Sequence, residues 1–427
     1  MTSELLQQVR VLDPVSGTDE LADVMIAGGV IQAVQQRISD YPAQTQIRDC
    51  RGLVLGPGLV DLYSHSGEPG FEERETLASL ASAAAAGGFT RLSILPDTVP
   101  PVDNPAGLAR LQSLLLPDTP IRVHYWAALT LGVQGQQMTE LAELAATSGV
   151  VGFADGQPLG NLALVRRLLE YLKPLGKPVA LWPCDWQLAG NGAMREGSFS
   201  IRFGLPSVPA LAETAALAAL LELVEAIGTP VHIMRVSTAR SVQLIESAKA
   251  RGLPITASTS WMHLLLDTKA IASYDTSLRL EPPLGNPADL AALRQGVRLG
   301  VLDAIAIDHT PYTYEEKTVA FAEAPPGAIG LELALPLLWH HLVETGELKA
   351  LELWRVLSTR PAECLQQIPS AIAPGKPAEL TLFAPQLSWK VEKQTLHSRS
   401  TNTPWLGQQL NGRVVQRGDV NYVTLLH

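Results

Sequence analysis

The chain has 427 residues, of which 46% are hydrophobic and 17% charged, with a formal net charge of −10. That length exceeds one small core and suits a large α/β domain with a smaller companion, and the acidic balance without any basic block argues against a nucleic-acid or anionic-membrane partner. Three scattered cysteines (Cys50, Cys184 and Cys364), an N-terminus without signal-like character and apolar runs too short for a bilayer lead to the expectation of a soluble, reduced, cytoplasmic protein.

The first fifty residues read as short strands joined by turns, with candidates at 8–12, 23–26 and 30–34, the last two flanking Gly28 as a hairpin would. After Gly56-Pro57-Gly58 the pattern changes, and short apolar runs alternate with long helical stretches. Strands are predicted at 59–62, 91–95, 123–128, 150–153, 178–182, 231–236, 255–258 and 304–307. Helices are predicted at 72–86, 162–173, 212–227, 241–250 and 288–299. Eight βα units over roughly 310 residues fit a (β/α)₈ TIM barrel. An open α/β sheet is the alternative, disfavoured because no GxGxxG or GxxxxGK[ST] loop follows a first strand. From Pro374 onward strands return, at 379–383, 389–391 and 414–416. The expected architecture is a barrel over 56–370 and a small β-sandwich-like domain built from 1–55 and 371–427.

Barrels of this kind place reacting groups at the C-terminal ends of their strands. Those ends carry Tyr63 and His65, Asp97, Asp155, Trp182 with Cys184 and Asp185, Arg235, His263, and Asp308 with His309. His340-His341 lies in a helical stretch where neighbours point to different faces, which suggests surface or packing roles. Cys184 has no matched base and reads as an inert thiol.

Ordered stretches along nearly the whole chain, among them PGLVDLYSHSGEPG, AAAAGGFTRLSILPDTVPPVDN, GSFSIRFGLPSVPALAE, YDTSLRLEPPLGNPADLAAL and DAIAIDHTPYTYEEK, resemble the long-form bacterial dihydroorotases of the amidohydrolase superfamily. The resemblance implies a TIM barrel and a role in pyrimidine synthesis, where N-carbamoyl-aspartate and dihydroorotate interconvert. It also implies a zinc-bound hydroxide that attacks the ring carbonyl while an aspartate shuttles the proton. Carried over position by position, the strand-1 H-x-H falls on Tyr63 and His65, and the third-ligand region offers Asp155. The next two ligand histidines fall on Trp182 and Arg235, and the proton-shuttling aspartate survives as Asp308.

Three imidazoles of four are thus replaced. Tryptophan cannot ligate a metal and arginine is a permanent cation, so His65, Asp155 and Asp308 remain as an incomplete set. The substrate-binding positions have changed too. The arginine after the second histidine falls on Gly67, an asparagine on Asp97, and the NPPLR stretch opens with Glu281, while Tyr312 replaces the last histidine of D-H-x-P-H. Losing a bidentate arginine removes the fork that would grip a carboxylate.

From these positions Arg235 is expected to replace the metal's charge, lying between Asp155 and Asp308, with Tyr63 and Trp182 filling the vacated volume. His65 is expected as a remnant; an unfamiliar metal site formed with His263 and His309 is the weaker alternative. The favoured functional reading is a catalytically silent homologue without a cofactor. Metal-poor members of this kind resemble the non-catalytic subunits that assemble with aspartate carbamoyltransferase, which implies that partner and a homo- or hetero-oligomer. The alternatives are an active cyclic-amide hydrolase with a reduced zinc site, and a pocket kept for another small molecule.

Overall fold

The computed structural model describes residues 3–415, and within them eight parallel strands alternate with helices and close into a (β/α)₈ barrel. Leu59–Ser64, Phe89–Ile94, Arg122–Ala127 and Val150–Phe153 pair in that order as strands one to four. Ala180–Leu181, Val231–Ile233, Ile255–Ser260 and Ala304–Ala306 pair in order as strands five to eight. A parallel bridge between Phe153 and Val179 joins the two halves.

The other seam, between strands eight and one, closes partly through side chains. Backbone bonds run from Asp308 N–H to Tyr63 O at 3.1 Å and from His65 N–H to His309 O at 2.9 Å. Below them the buried Asp61 accepts the Ile307 N–H at 3.1 Å and the Ser64 hydroxyl at 2.6 Å. Burial pushes the Asp61 carboxyl up to about 7, opposed by those donors. This seam fixes His65 and Asp308 beside one another before either side chain makes a contact.

Strands six and eight are shorter than their apolar runs predict, because residues near their C-terminal ends leave the ladder to turn toward the barrel mouth. Arg235 and Asp308 do so in the left-handed region, with φ of 56 and 53°. A non-glycine residue held there carries strain of about 1–3 kcal/mol, and such strain gathers at functional sites. The predicted helix over 72–86 begins only at Leu77. Thr76 caps it, accepting the Ser79 N–H at 3.1 Å while Ser79 Oγ accepts the Thr76 N–H at 3.0 Å. The freed segment lets Glu75 turn inward, fully buried, against Ser398, the Arg399 N–H at 3.1 Å and His309 Nε2 at 3.4 Å.

The outer helices pack by their period. In Leu162–Leu172, residues Leu164, Val165, Leu168, Leu169 and Leu172 share the buried face. Each such side chain contributes about 1.5–3 kcal/mol on burial. Among the described residues no helix is long and apolar enough to cross a membrane.

Strands from both termini form one seven-stranded sheet beside the barrel. They meet where Val54–Pro57 runs antiparallel to Leu380–Lys390, with Gly56 opposite Thr381, so Gly56 and Pro57 pair within this sheet. A Cβ on Gly56 would lie 2.0 Å from the Trp354 indole nitrogen, which donates to Pro57 O at 2.9 Å. Only glycine lets that barrel helix approach so closely. The first strand is longer than predicted, Ser3–Asp13, because a bulge at Gln8 (φ 55°) is held by its N–H bond to Asp23 at 2.9 Å. The run at 389–391 lies largely inside the long strand Leu380–Lys390. Of the predicted strand 414–416, Val414 ends Gln409–Val414, and Gln416 lies outside the described residues.

Candidate functional site

The C-terminal strand ends surround a cavity of about 120 Å³, lined by His65, Asp97, Trp182, Arg235, His263, Glu281, Asp308 and Tyr312 among others. This is well below the roughly 300–1,000 Å³ usual for small-molecule sites. What fills the centre is an arginine.

Arg235 is 4% exposed and forks onto Asp308, Nε to Oδ2 at 2.8 Å and Nη2 to Oδ1 at 2.7 Å. Its Nη1 donates to Gly156 O at 2.9 Å, and Nη2 lies 3.0 Å from His65 Nε2. The guanidinium carbon stands 4.7 Å over the Trp182 ring and 5.8 Å from the Tyr63 ring, within cation–π range. Tyr63 is fully buried; its hydroxyl accepts the Arg235 N–H at 3.2 Å and bonds Ser258 Oγ at 3.0 Å, which reaches His232 Nε2 at 2.8 Å. Burial pushes His232 down to about 3, so this chain beneath the site is uncharged. Tyr63 and Trp182, at positions where the resemblance implies imidazoles, therefore cradle Arg235, at another such position.

His65 is held from both sides. Its Nδ1 lies 2.6 Å from Asp97 Oδ2 and its Nε2 lies 3.5 Å from Asp308 Oδ1. Burial lowers the imidazole's proton affinity, but Asp97 and Asp308 outweigh it and lift the pKa to about 9. The 3.0 Å approach of Arg235 Nη2 is a hydrogen bond only to an unprotonated Nε2, whereas the carboxylates favour a proton there. Two carboxylates facing one guanidinium leave the cluster negative, so the upward direction is the one its charges support. Asp308 is opposed by burial yet held well below the usual carboxylate range by Arg235 and His65. Asp97 is lowered against burial in the same way, chiefly by His65. With both oxygens engaged and a low proton affinity, Asp308 is a poor general base.

Several expectations need correction. Asp155 does not face Arg235. Its Oδ1 accepts the Leu129 and Thr130 N–H groups at 2.7 and 3.1 Å, and Oδ2 accepts the Thr130 hydroxyl at 2.6 Å. It ties the ends of strands three and four, and the neighbouring Gly156 carbonyl takes its place beside the guanidinium. Gly67 is absent from the cavity wall, and a Cβ there would lie 2.4 Å from Phe71 O and 2.5 Å from Glu75 O. The chain has folded into the space an arginine side chain would need. Asp97, taken from its sequence position as a substrate contact, instead pairs with His65. The signal for that was adjacency: the two residues follow strands one and two, which are neighbours.

Asp97 Oδ1, Trp182 Nε1 and His263 Nδ1 are buried without hydrogen-bond partners among the described residues. Glu281 lines the wall with its carboxyl raised by burial. His263 turns Nε2 to Pro282 O at 3.1 Å, and burial pulls it down to about 4. His309 Nδ1 accepts the Gly330 N–H at 3.2 Å while its other nitrogen faces Glu75, so it is occupied away from His65. Burial lifts the Cys184 thiol to about 12, consistent with an inert role. His340 pairs with Glu344 on the surface at 2.7 Å.

The residues present do not fit zinc. Among the described residues no group of three His, Cys, Asp or Glu is placed to hold a metal ion. At the strand ends a cation and an indole stand where imidazoles would be required.

With this geometry in view, comparison with known proteins is informative. Residues 52–241 match the family described as Dihydro-orotase-like. A probable dihydroorotase-like protein of Synechocystis sp. is 45% identical, over 97% of this chain and 99% of its own length. A dihydroorotase of Pelobacter propionicus is 39% identical over 96% of both chains. The L-hydantoinase of Arthrobacter aurescens shares the fold with a TM-score of 0.85 at 20% identity, covering 97% of this chain and 94% of its own. A D-hydantoinase structure aligns with a TM-score of 0.81 at 21% identity, over 97% and 93%. Identity of this extent along nearly the full length places the chain in the dihydroorotase-like family.

Proposed function

We propose that this chain is a catalytically silent dihydroorotase-like protein that serves in the cytoplasm as a structural or regulatory partner of aspartate carbamoyltransferase. The observation that carries the silent reading is the Arg235–Asp308 fork, which places a fixed cation on the residue that should shuttle the proton. A guanidinium so held repels a divalent ion and satisfies Asp308 internally, and the cavity left beside it is small. The function then requires no cofactor. The partner reading rests on the resemblance to non-catalytic family members, in which the fold and assembly surface persist while the centre changes.

Metal analysis of the purified protein coupled to a dihydroorotate turnover assay tests the silent reading. Zinc well below one ion per chain and no turnover are expected; one zinc per chain with hydrolysis overturns it. Co-expression with the aspartate carbamoyltransferase of the same organism tests the partnership separately. A stable co-eluting complex is expected, and a chain that elutes alone from such mixtures refutes that part.

A further inference from the structure

The opposite face of the barrel carries a second cavity, of about 710 Å³, where the terminal sheet docks against the starts of strands two and three. Its walls hold five basic side chains and two acidic ones in a chain whose overall charge is −10. Part of that charge is internal structure. Glu379 accepts from Arg91 Nε and Nη2 at 2.7 and 2.9 Å and from Arg122 at 3.2 Å, tying barrel to sheet. Arg360 pairs with Glu363 at 2.7 Å.

The remainder has no internal use. The side chains of Arg355 and Lys376 form neither a hydrogen bond nor an ion pair among the described residues, and both line the cavity. A guanidinium fork and an ammonium lining one space match the oxygens of a phosphate. The volume lies within the range of small-molecule sites, and cavities between packed domains are common places for them. The N-terminal face of a barrel is not where its chemistry occurs, which points to an effector rather than a substrate.

We propose that this cavity binds a small soluble phosphate compound through Arg355 and Lys376. The test is isothermal titration of the full chain with inorganic pyrophosphate at low ionic strength. Saturable binding at one site is expected, weakened roughly tenfold or more by Arg355→Gln or Lys376→Gln, the cost of one charge-assisted bond. Arg202→Gln, an exposed arginine on a different helix, should leave it intact, with the circular dichroism spectrum unchanged in every variant. Absence of saturable binding by the parent chain, or equal loss in all three variants, overturns the proposal. Sedimentation of the protein with phosphatidylglycerol vesicles that depends on Arg355 and Lys376 would instead assign the surface to lipid headgroups and overturn the soluble ligand.

Discussion

Replacing Arg235 by methionine isolates the interaction on which the centre depends. Methionine keeps an unbranched stem against Trp182 and inherits the same left-handed backbone, so the strain at φ 56° is common to both proteins. What disappears is the fork to Asp308 and the bond to Gly156 O. Removing one partner of a buried ion pair leaves the other uncompensated, a cost of about 3–5 kcal/mol. The orphaned Gly156 carbonyl alone would cost about 1–3 kcal/mol, but the two losses share one side chain and do not add. The single variant should therefore lose about 3–5 kcal/mol in urea unfolding followed by circular dichroism, with an unchanged denaturant slope. Adding Asp308→Asn removes the stranded charge and should restore roughly 1–3 kcal/mol, the coupling typical of residues in direct contact. A single variant as stable as the parent, or a double variant no better than the single, would refute the charge-compensation argument.

Two further outcomes follow from the same cluster and its surroundings. His65 is lifted to about 9 by Asp97 and Asp308, so its contribution to stability is complete below its ordinary value near 6.5 and is lost as pH rises through 9. Buried Lys317, pushed down to about 7, contributes the opposite slope; the difference between the thermal profiles of the parent and His65→Gln from pH 6 to 10 should therefore show the decline, and parallel profiles would refute it. Placing at Gly67 the arginine that the family resemblance implies (Gly67→Arg) should destabilise the protein by about 1–3 kcal/mol through overpacking against the backbone of Phe71 and Glu75, and should give no dihydroorotate turnover. An undiminished melting temperature would show that this loop yields more readily than its packing implies.

The barrel was legible because its strands are short apolar runs between helices of regular period, and such runs reveal strand ends even where their exact length does not. Strand ends were enough to bring Tyr63, His65, Trp182, Arg235 and Asp308 together. They were not enough to say which way a side chain faces. Asp155 stands at a strand end as expected, yet nearby amide donors capture both oxygens, a choice set by loop conformation. Glu75 was hidden inside an apparently continuous helix, since its neighbours have helical periodicity and only the Thr76 cap stops the helix short of it. The cavity holding Arg355 and Lys376 could not be read at all, because it forms where segments far apart in sequence dock.

The same contacts explain why the centre differs from an active site with pieces removed. Arg235 needs Asp308 as its counter-ion, Trp182 and Tyr63 as its walls, and Gly156 O as its last acceptor. His65 needs Asp97, a substitution on the substrate-binding side of the family pattern, as much as it needs Asp308 on the metal side. A histidine returned at 235 alone would leave two carboxylates with one titrating imidazole between them. A histidine at 182 alone would face a fixed guanidinium at 4.7 Å from the present ring. Each single reversion therefore meets a charge or packing penalty set by the others. On the proposed reading, the positions that the resemblance assigns to metal and substrate are coupled by the contacts they make, and the centre is a charged, packed plug.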